Sequence, residues 1–280
     1  MSTLSSAAQT ARVAALFDAL AASYDTTGVD FFQPIAAGLL AALPPRPGER
    51  WLDLGCGRGA VLVPAAAAVG ASGEAVGVDL SPAMVAQARA LAAQQGLHRV
   101  QVRVDDAQAP SREGAPFDVV ASSLVLFFLP DPVAALAAWL PLLRPGGRLG
   151  VTTFGRVDPR WERVDAVFEP FLSPSMRDAR TSGRRGPFAS DAGLEALVEA
   201  AGFTEVRTVT GSLAVRFADA AQWHAFTWST AQRAMWLAVP DAERPRVRAE
   251  AERRLLEASR PDGSIVFEQG LRHTLAVRPR

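Results

Sequence analysis

The chain has 280 residues, with 29 acidic and 29 basic side chains for a formal net charge of zero, and 49% of its residues are hydrophobic. This allows a sizeable core in one domain, or one domain with a cover, and excludes a generally basic surface for nucleic acid or anionic membrane. The single cysteine, Cys56, excludes an internal disulfide and a cysteine-based zinc site. No apolar run reaches the ~18 residues of a membrane span and no export signal opens the chain, so a cytoplasmic protein is expected.

In chain order, residues 7–22 predict an amphipathic helix with Val13, Leu16, Phe17 and Leu20 on one face. A second helix runs from about Phe31 to Leu43. After a break at Pro44, Pro45, Pro47 and Gly48 comes Trp51-Leu52-Asp53-Leu54-Gly55-Cys56-Gly57-Arg58-Gly59. This reads as a short buried strand that ends in a glycine-rich turn and opens a helix. Glycine serves where backbone turns tightly and meets a ligand, and such a turn after the first strand of an α/β unit is a nucleotide-cofactor site. Two spacings fit it. Gly55, Gly57 and Ala60 satisfy the dinucleotide G-x-G-x-x-G/A form, whereas Asp53, Gly55, Gly57 and Gly59 satisfy Asp-x-Gly-x-Gly-x-Gly, which also uses the acid.

Ala75 to Asp79 reads as a second buried strand ending in an acid, placed to accept from two ribose hydroxyls. Ser81-Pro82 then starts a helix, with Ser81 suited to the N-cap. Val100 to Val104 alternates as a third strand and ends in Asp105-Asp106-Ala107, and Phe117 to Ser123 is a fourth. Leu143-Arg144-Pro145-Gly146-Gly147 turns into a fifth strand through Val151. Arg160 to Met176 predicts an aromatic-rich helical insertion, and a polar loop over 181–187 leads to a helix from Ser190 to Ala201. Phe203 to Phe217 is extended. Ala218 to Ala258 is a longer helical insertion carrying Trp223, His224, Phe226, Trp228, Met235 and Trp236, and Ser264 to Arg278 is a closing strand.

The glycine turn, Asp79, Asp106 and the Arg144-Pro145-Gly146-Gly147 turn together resemble class I S-adenosylmethionine (SAM) dependent methyltransferases. Phe17-Asp18 with Tyr24-Asp25 is similar to the N-terminal segment of the ubiquinone/menaquinone-biosynthesis type, and natural-product small-molecule methyltransferases share the pattern. The resemblance implies an α/β fold: a Rossmann-like seven-stranded sheet, last strand antiparallel, flanked by helices and covered by a helical lid. It divides the chain into an N-terminal lid segment (1–45), a SAM-binding core (46–155) and a remainder (156–280) with substrate-cap insertions near 156–188 and 218–260. It places Asp53, Gly55, Gly57 and Gly59 at the amino-acid end of SAM, Asp79 at the ribose and Asp106 at the adenine, with Cys56, Leu80 and Ala107 also in the cofactor site. Tyr24 lies over the methionine part, and Ser123 ends strand four at the switch point. No metal is implied.

The implied reaction is methyl transfer to oxygen or carbon of a hydrophobic small molecule, by a monomer or homodimer that engages neither nucleic acid nor membrane. Ser123-Leu124-Val125-Leu126 lacks the Asp/Asn-Pro-Pro pattern of base-amino methylation, and Cys56 lacks a preceding proline, so DNA methylation is disfavoured. All 29 basic residues are arginine, and the absence of lysine removes Schiff-base chemistry and lysine-assisted hydride transfer. Phe127 and Phe128 stand where many relatives carry a histidine. Of the three histidines, His98 is expected at the surface and His273 in a structural role. His224, in the aromatic insertion, is the expected general base, with Tyr24 and Asp30 behind it. Arg184 and Arg185 are candidates for an acidic substrate group. A SAM-binding enzyme that catalyses cyclisation without methylation is the alternative, and an NAD-dependent oxidoreductase a more distant one.

Overall fold

A computed structural model describes residues 6–174, 176–177 and 185–280. Strands β1 (Arg50–Leu54), β2 (Glu74–Asp79), β3 (Val100–Val104), β4 (Phe117–Ser123) and β5 (Leu143–Val157) are parallel. The interior strands β1, β2 and β4 are almost continuously buried, which is why they read as unbroken apolar runs. β6 (Thr204–Phe217) and β7 (Ile265–Val277) complete a seven-stranded sheet of order β3-β2-β1-β4-β5-β7-β6, with β7 antiparallel to both neighbours. The chain winds outward from β1 to β3, then returns to add β4 on the other side of β1. The carboxyl ends of β1 and β4 therefore flank a crevice, the usual ligand position in such sheets.

The helices of this core start where local chemistry dictates. α1 (Ser6–Leu20), α2 (Phe32–Ala42) and α3 (Leu62–Val69) precede α4 (Pro82–Gln94), whose N-cap Ser81 accepts from the Met84 amide at 3.1 Å. At α5 (Pro132–Trp139) the cap is Asp131, which accepts from Ala134 N at 3.0 Å. Both helices carry proline in the first turn, where no amide hydrogen is missed. α2 lies close to β7 because Gly38 has no side chain: a Cβ there would stand 2.7 Å from His273 Nε2. His273 is buried and pairs with Thr152 Oγ1 at 2.9 Å, the structural role expected of it.

α6 (Pro159–Asp165) follows β5, and α7 (Asp191–Ala200) precedes β6. The helical insertion after β6 is three helices: α8 (Ala220–Ser229), α9 (Arg233–Ala238) and α10 (Arg244–Ala258). Thr230 and Pro240 fall in the breaks. α6, α8, α9 and α10 share an aromatic core in which Trp161 stacks on Phe267 at 5.3 Å and Phe168 meets Trp236 edge-on at 4.8 Å. α10 buries Val247, Ala251, Leu255 and Ala258 along one stripe, with Arg–Glu pairs such as Arg253–Glu250 on its outer face. Phe31, just ahead of α2, joins this core through Phe226 at 5.3 Å. None of the described helices is long and apolar enough to cross a membrane.

Candidate active site

A cavity of about 1520 Å³ opens over the carboxyl ends of the parallel strands. Ligand pockets usually hold about 300–1,000 Å³, so this one has room for a nucleotide-sized molecule and a second ligand. One set of lining residues comes from the glycine turn and the ends of β2 and β3; the other is aromatic and includes Phe31, Phe127, Phe154, Trp161 and Phe226.

The three glycines of the turn have different reasons to be glycine. All have positive φ, at 74°, 52° and 98° for Gly55, Gly57 and Gly59. A Cβ on Gly55, which lines the cavity, would meet Val125 Cγ2 at 2.3 Å, and one on Gly59 would meet Val63 Cγ2 at 2.9 Å, so packing inside the protein excludes a side chain at both. Gly59 does not line the cavity, although the sequence placed it there. Around Gly57 no protein atom lies within 4 Å of a built Cβ, and the residue lines the cavity, so its bare backbone faces open space.

The acids expected around this turn are gathered in one place. Asp79 Oδ2 accepts from Gly57 N at 2.8 Å and Oδ1 from Ser81 N at 2.9 Å. Burial raises the Asp79 pKa, opposed by those amides. Asp53 is 2% exposed and its Oδ2 has no hydrogen-bond partner. Burial, then the nearby Asp79 charge, pushes its pKa up to about 7. At the end of β3, Asp105 spends both oxygens on loop amides, from Asp106 at 2.9 Å and Ser111 at 3.0 Å. Asp106 uses only Oδ1, on Gln108 N at 2.8 Å. Trp139 Nε1 donates to the Ala107 carbonyl at 2.7 Å and holds this loop in place. Leu80, Ala107, Cys56 and Ser123 also line the cavity. Burial raises the Cys56 thiol pKa, which keeps it protonated and unreactive.

Tyr24 lines the cavity, stacked on Phe32 at 4.4 Å, while Arg58 of the turn donates to its carbonyl. Burial, with Asp25 and Asp79 nearby, raises the Tyr24 pKa and favours the protonated phenol. Asp25 and Leu124 both line the cavity with left-handed φ, 55° and 60°. Such conformations cost about 1–3 kcal/mol and concentrate at functional sites.

The expected base is not at the site. His224 does not line the cavity. Its Nε2 accepts from Trp228 Nε1 at 2.9 Å, its ring lies edge-on to Trp236 at 4.9 Å, and burial lowers its pKa. The helical pattern of α8 marked a buried face but not that this imidazole pairs with Trp228 and Trp236 rather than lining the cavity. Asp30 is exposed and also outside the cavity, and His98 is exposed. Arg184 lies outside the described residues, and Arg185 does not line the cavity. Gln269, by contrast, was missed: it is 5% exposed on β7 and lines the cavity. A polar residue at an inward position between Phe267 and Leu271 was the available signal.

Residues 52–147 match the model of a methyltransferase domain. Over 253 residues the chain is 40% identical to nocamycin O-methyltransferase of Saccharothrix syringae, a match covering 86% of this chain and 89% of that protein. The chain is a SAM-dependent methyltransferase. This decides between the two spacings of the glycine turn in favour of the Asp53-Gly55-Gly57-Gly59 form. Aklanonic acid methyltransferase DauC of Streptomyces sp. strain C5 is 42% identical over 142 residues, 51% of this chain and 64% of that protein. In fold, the methyltransferase is similar to the YcgJ protein of Bacillus subtilis, with a TM-score of 0.57 at 17% identity over 88% of this chain and 99% of that one.

Proposed function

We propose that the enzyme methylates an oxygen of a hydrophobic, acidic small molecule, a reading supported by one relative named as an O-methyltransferase and another named for an acid. The cofactor half fits SAM: Gly57 leaves bare backbone beside the ligand, and Asp53 offers a buried, unpaired acceptor to the positively charged amino-acid end. In this reading Asp79 takes the ribose hydroxyls, Asp106 the adenine amine, Tyr24 covers the methionine part, and Leu80, Ala107, Cys56 and Ser123 complete the walls. SAM supplies a methyl group already activated on a sulfonium. The protein's own contribution is orientation and exclusion of water.

The observation that carries the acceptor reading is the wall opposite the cofactor. It is built from aromatic rings such as Phe127 and Phe154, 5.4 Å apart, and it holds no histidine and no lysine. Two of the carboxylates lining the cavity bond to amides: Asp25 to Gln33 Nε2 at 3.4 Å and Asp165 to Gln232 Nε2 at 3.1 Å. A neutral hydroxyl would need a base here. A carboxylate or acidic enol arrives already ionised and needs only to be held in line, which agrees with a relative whose name specifies an acid.

Incubation with SAM and aklanonic acid, followed by mass spectrometry, tests the reading. A product heavier by one CH2, with the methyl on the acidic oxygen, is expected. Turnover of phenols or alcohols in preference to acids overturns it. A product of unchanged mass supports the cyclisation alternative instead.

A further inference from the structure

Arg58 sits between two left-handed glycines, Gly57 at φ 52° and Gly59 at φ 98°. The Gly57 amide ties this turn to Asp79 at 2.8 Å. From that fixed base the Arg58 side chain reaches the N-terminal segment, where Nη1 donates to the main-chain carbonyl of Tyr24. The carbonyl belongs to the turn in which α1 runs out. Tyr24 N still donates to the Leu20 carbonyl at 2.8 Å, as in a helix, but Asp25 is left-handed at φ 55° and ends the run. Carbonyls at a helix end have no amide ahead of them and take side-chain donors, arginine among them.

Tyr24 is thus held at both its amide and its carbonyl. Its ring stacks on Phe32 at 4.4 Å and meets Phe17 edge-on at 6.0 Å. Burial raises the Asp25 pKa, opposed by the Gln33 bond and by the Arg58 charge, so the guanidinium lies near the next residue of the chain as well. Gly57, Arg58 and Tyr24 all line the cavity. Consecutive residues of one turn therefore serve two surfaces: Gly57 presents bare backbone to the cavity, and Arg58 fixes the main chain that carries an aromatic ring of its wall.

We propose that Arg58 is a positioning residue for cofactor binding, whose bond to the Tyr24 carbonyl holds the Tyr24 ring over the methionine part of SAM. The proposal rests on the reading that Tyr24 covers that part of the cofactor. It adds that the glycine turn itself sets the covering ring, and that Arg58 acts through Tyr24 and not on the cofactor. A ring fixed before the ligand arrives has less freedom to lose on binding.

The test is a double-mutant cycle on S-adenosylhomocysteine affinity, measured by calorimetric titration of the full chain, with circular dichroism as the check on folding. Arg58→Met should raise Kd about five- to tenfold, the size expected for a lost hydrogen bond from a charged donor. Arg58→Lys, which keeps a cationic donor, should recover most of the loss. Tyr24→Ala should raise Kd at least as much as Arg58→Met does. With Tyr24→Ala already present, Arg58→Met should change Kd by less than about twofold, because the clamp then holds no ring. Tyr24 is the single tyrosine of the chain, so 3-fluorotyrosine labelling gives one fluorine resonance. S-adenosylhomocysteine should shift it in the wild type, and Arg58→Met should move the ligand-free resonance. Losses that add in the double variant overturn the proposal. So does an Arg58→Met protein with wild-type affinity, or a ligand-free resonance that Arg58→Met leaves unmoved; in each case a weakened Tyr24→Ala leaves the Tyr24 reading standing. A Tyr24→Ala protein with wild-type affinity, or a wild-type resonance that the ligand leaves unmoved, removes that reading and this proposal with it. If Arg58→Met does not fold, Arg58→Gln takes its place, and failure of both to fold overturns the proposal in favour of a purely structural role for Arg58.

Discussion

The backbone amide of Gly57 donates to the Asp79 carboxylate at 2.8 Å, joining the glycine turn after β1 to the acid that ends β2. The two cofactor motifs, 22 residues apart, are thus one physical unit. The same glycine faces open cavity, so a side chain at this position acts on the ligand as well as on the turn. Gly57→Val should weaken S-adenosylhomocysteine binding by at least about tenfold, since a branched Cβ fills cavity space and the φ of 52° disfavours it. Calorimetric titration measures the loss, and circular dichroism checks that the fold survives.

Cofactor affinity should depend on pH through Asp53. Its pKa is raised to about 7, so the folded apoprotein holds this proton more tightly than the unfolded chain does. Ionising it therefore costs apoprotein stability between about pH 4 and 7. A cationic group beside the unpaired oxygen favours the ionised form. Binding should release a proton at pH 6 and strengthen about tenfold from pH 6 to 8. Calorimetry in buffers of different ionisation enthalpy reads both effects, and Asp53→Asn should abolish them.

Removal of His224, the base expected from the sequence, or of Asp25, a carboxylate lining the cavity, should cost little. A general base contributes about 10²- to 10⁴-fold. If the acceptor oxygen arrives ionised, His224→Gln and Asp25→Asn should each lower kcat by less than about threefold. A loss of a hundredfold in Asp25→Asn would make that carboxylate the proton acceptor and the substrate a neutral hydroxyl.

The cover should be a cooperative part of the fold. Trp236 is 1% exposed, donates to Thr227 Oγ1 at 2.9 Å and stacks on Trp228 at 5.9 Å. Trp236→Ala should cost about 3–5 kcal/mol by leaving a large cavity in the aromatic core. Urea denaturation measures this, and a single transition is expected.

Much of this was legible in the sequence for local reasons. Ser81-Pro82 and Asp131-Pro132 carry their own capping chemistry, and the alternation of Val100, Val102 and Val104 carries its own period. The gathering of the glycine turn with Asp79 and Asp106 on one cavity was legible because a turn, an acid and a strand end recur in fixed order along the chain. The aromatic wall was legible only in part: the insertions that bring Trp161 and Phe226 to the cavity stood out, but the contributions of β5 and β7, Phe154 and Gln269, depend on long-range contacts. Gly59 was assigned to the ligand although Val63 is what excludes its side chain, and only three-dimensional packing distinguishes it from Gly57. His224 failed for the same reason: its tryptophan partner four residues on was visible, but the side of α8 that meets the cavity was not.

The account turns most directly on Asp79, whose two oxygens already hold Gly57 and Ser81 while facing the cavity. Calorimetric titration of Asp79→Ala with S-adenosylhomocysteine is the decisive measurement. The account predicts a loss of about 2–3 kcal/mol, because two hydroxyl donors lose a charged acceptor, in a variant that remains folded. A folded Asp79→Ala protein that binds with wild-type affinity would contradict it.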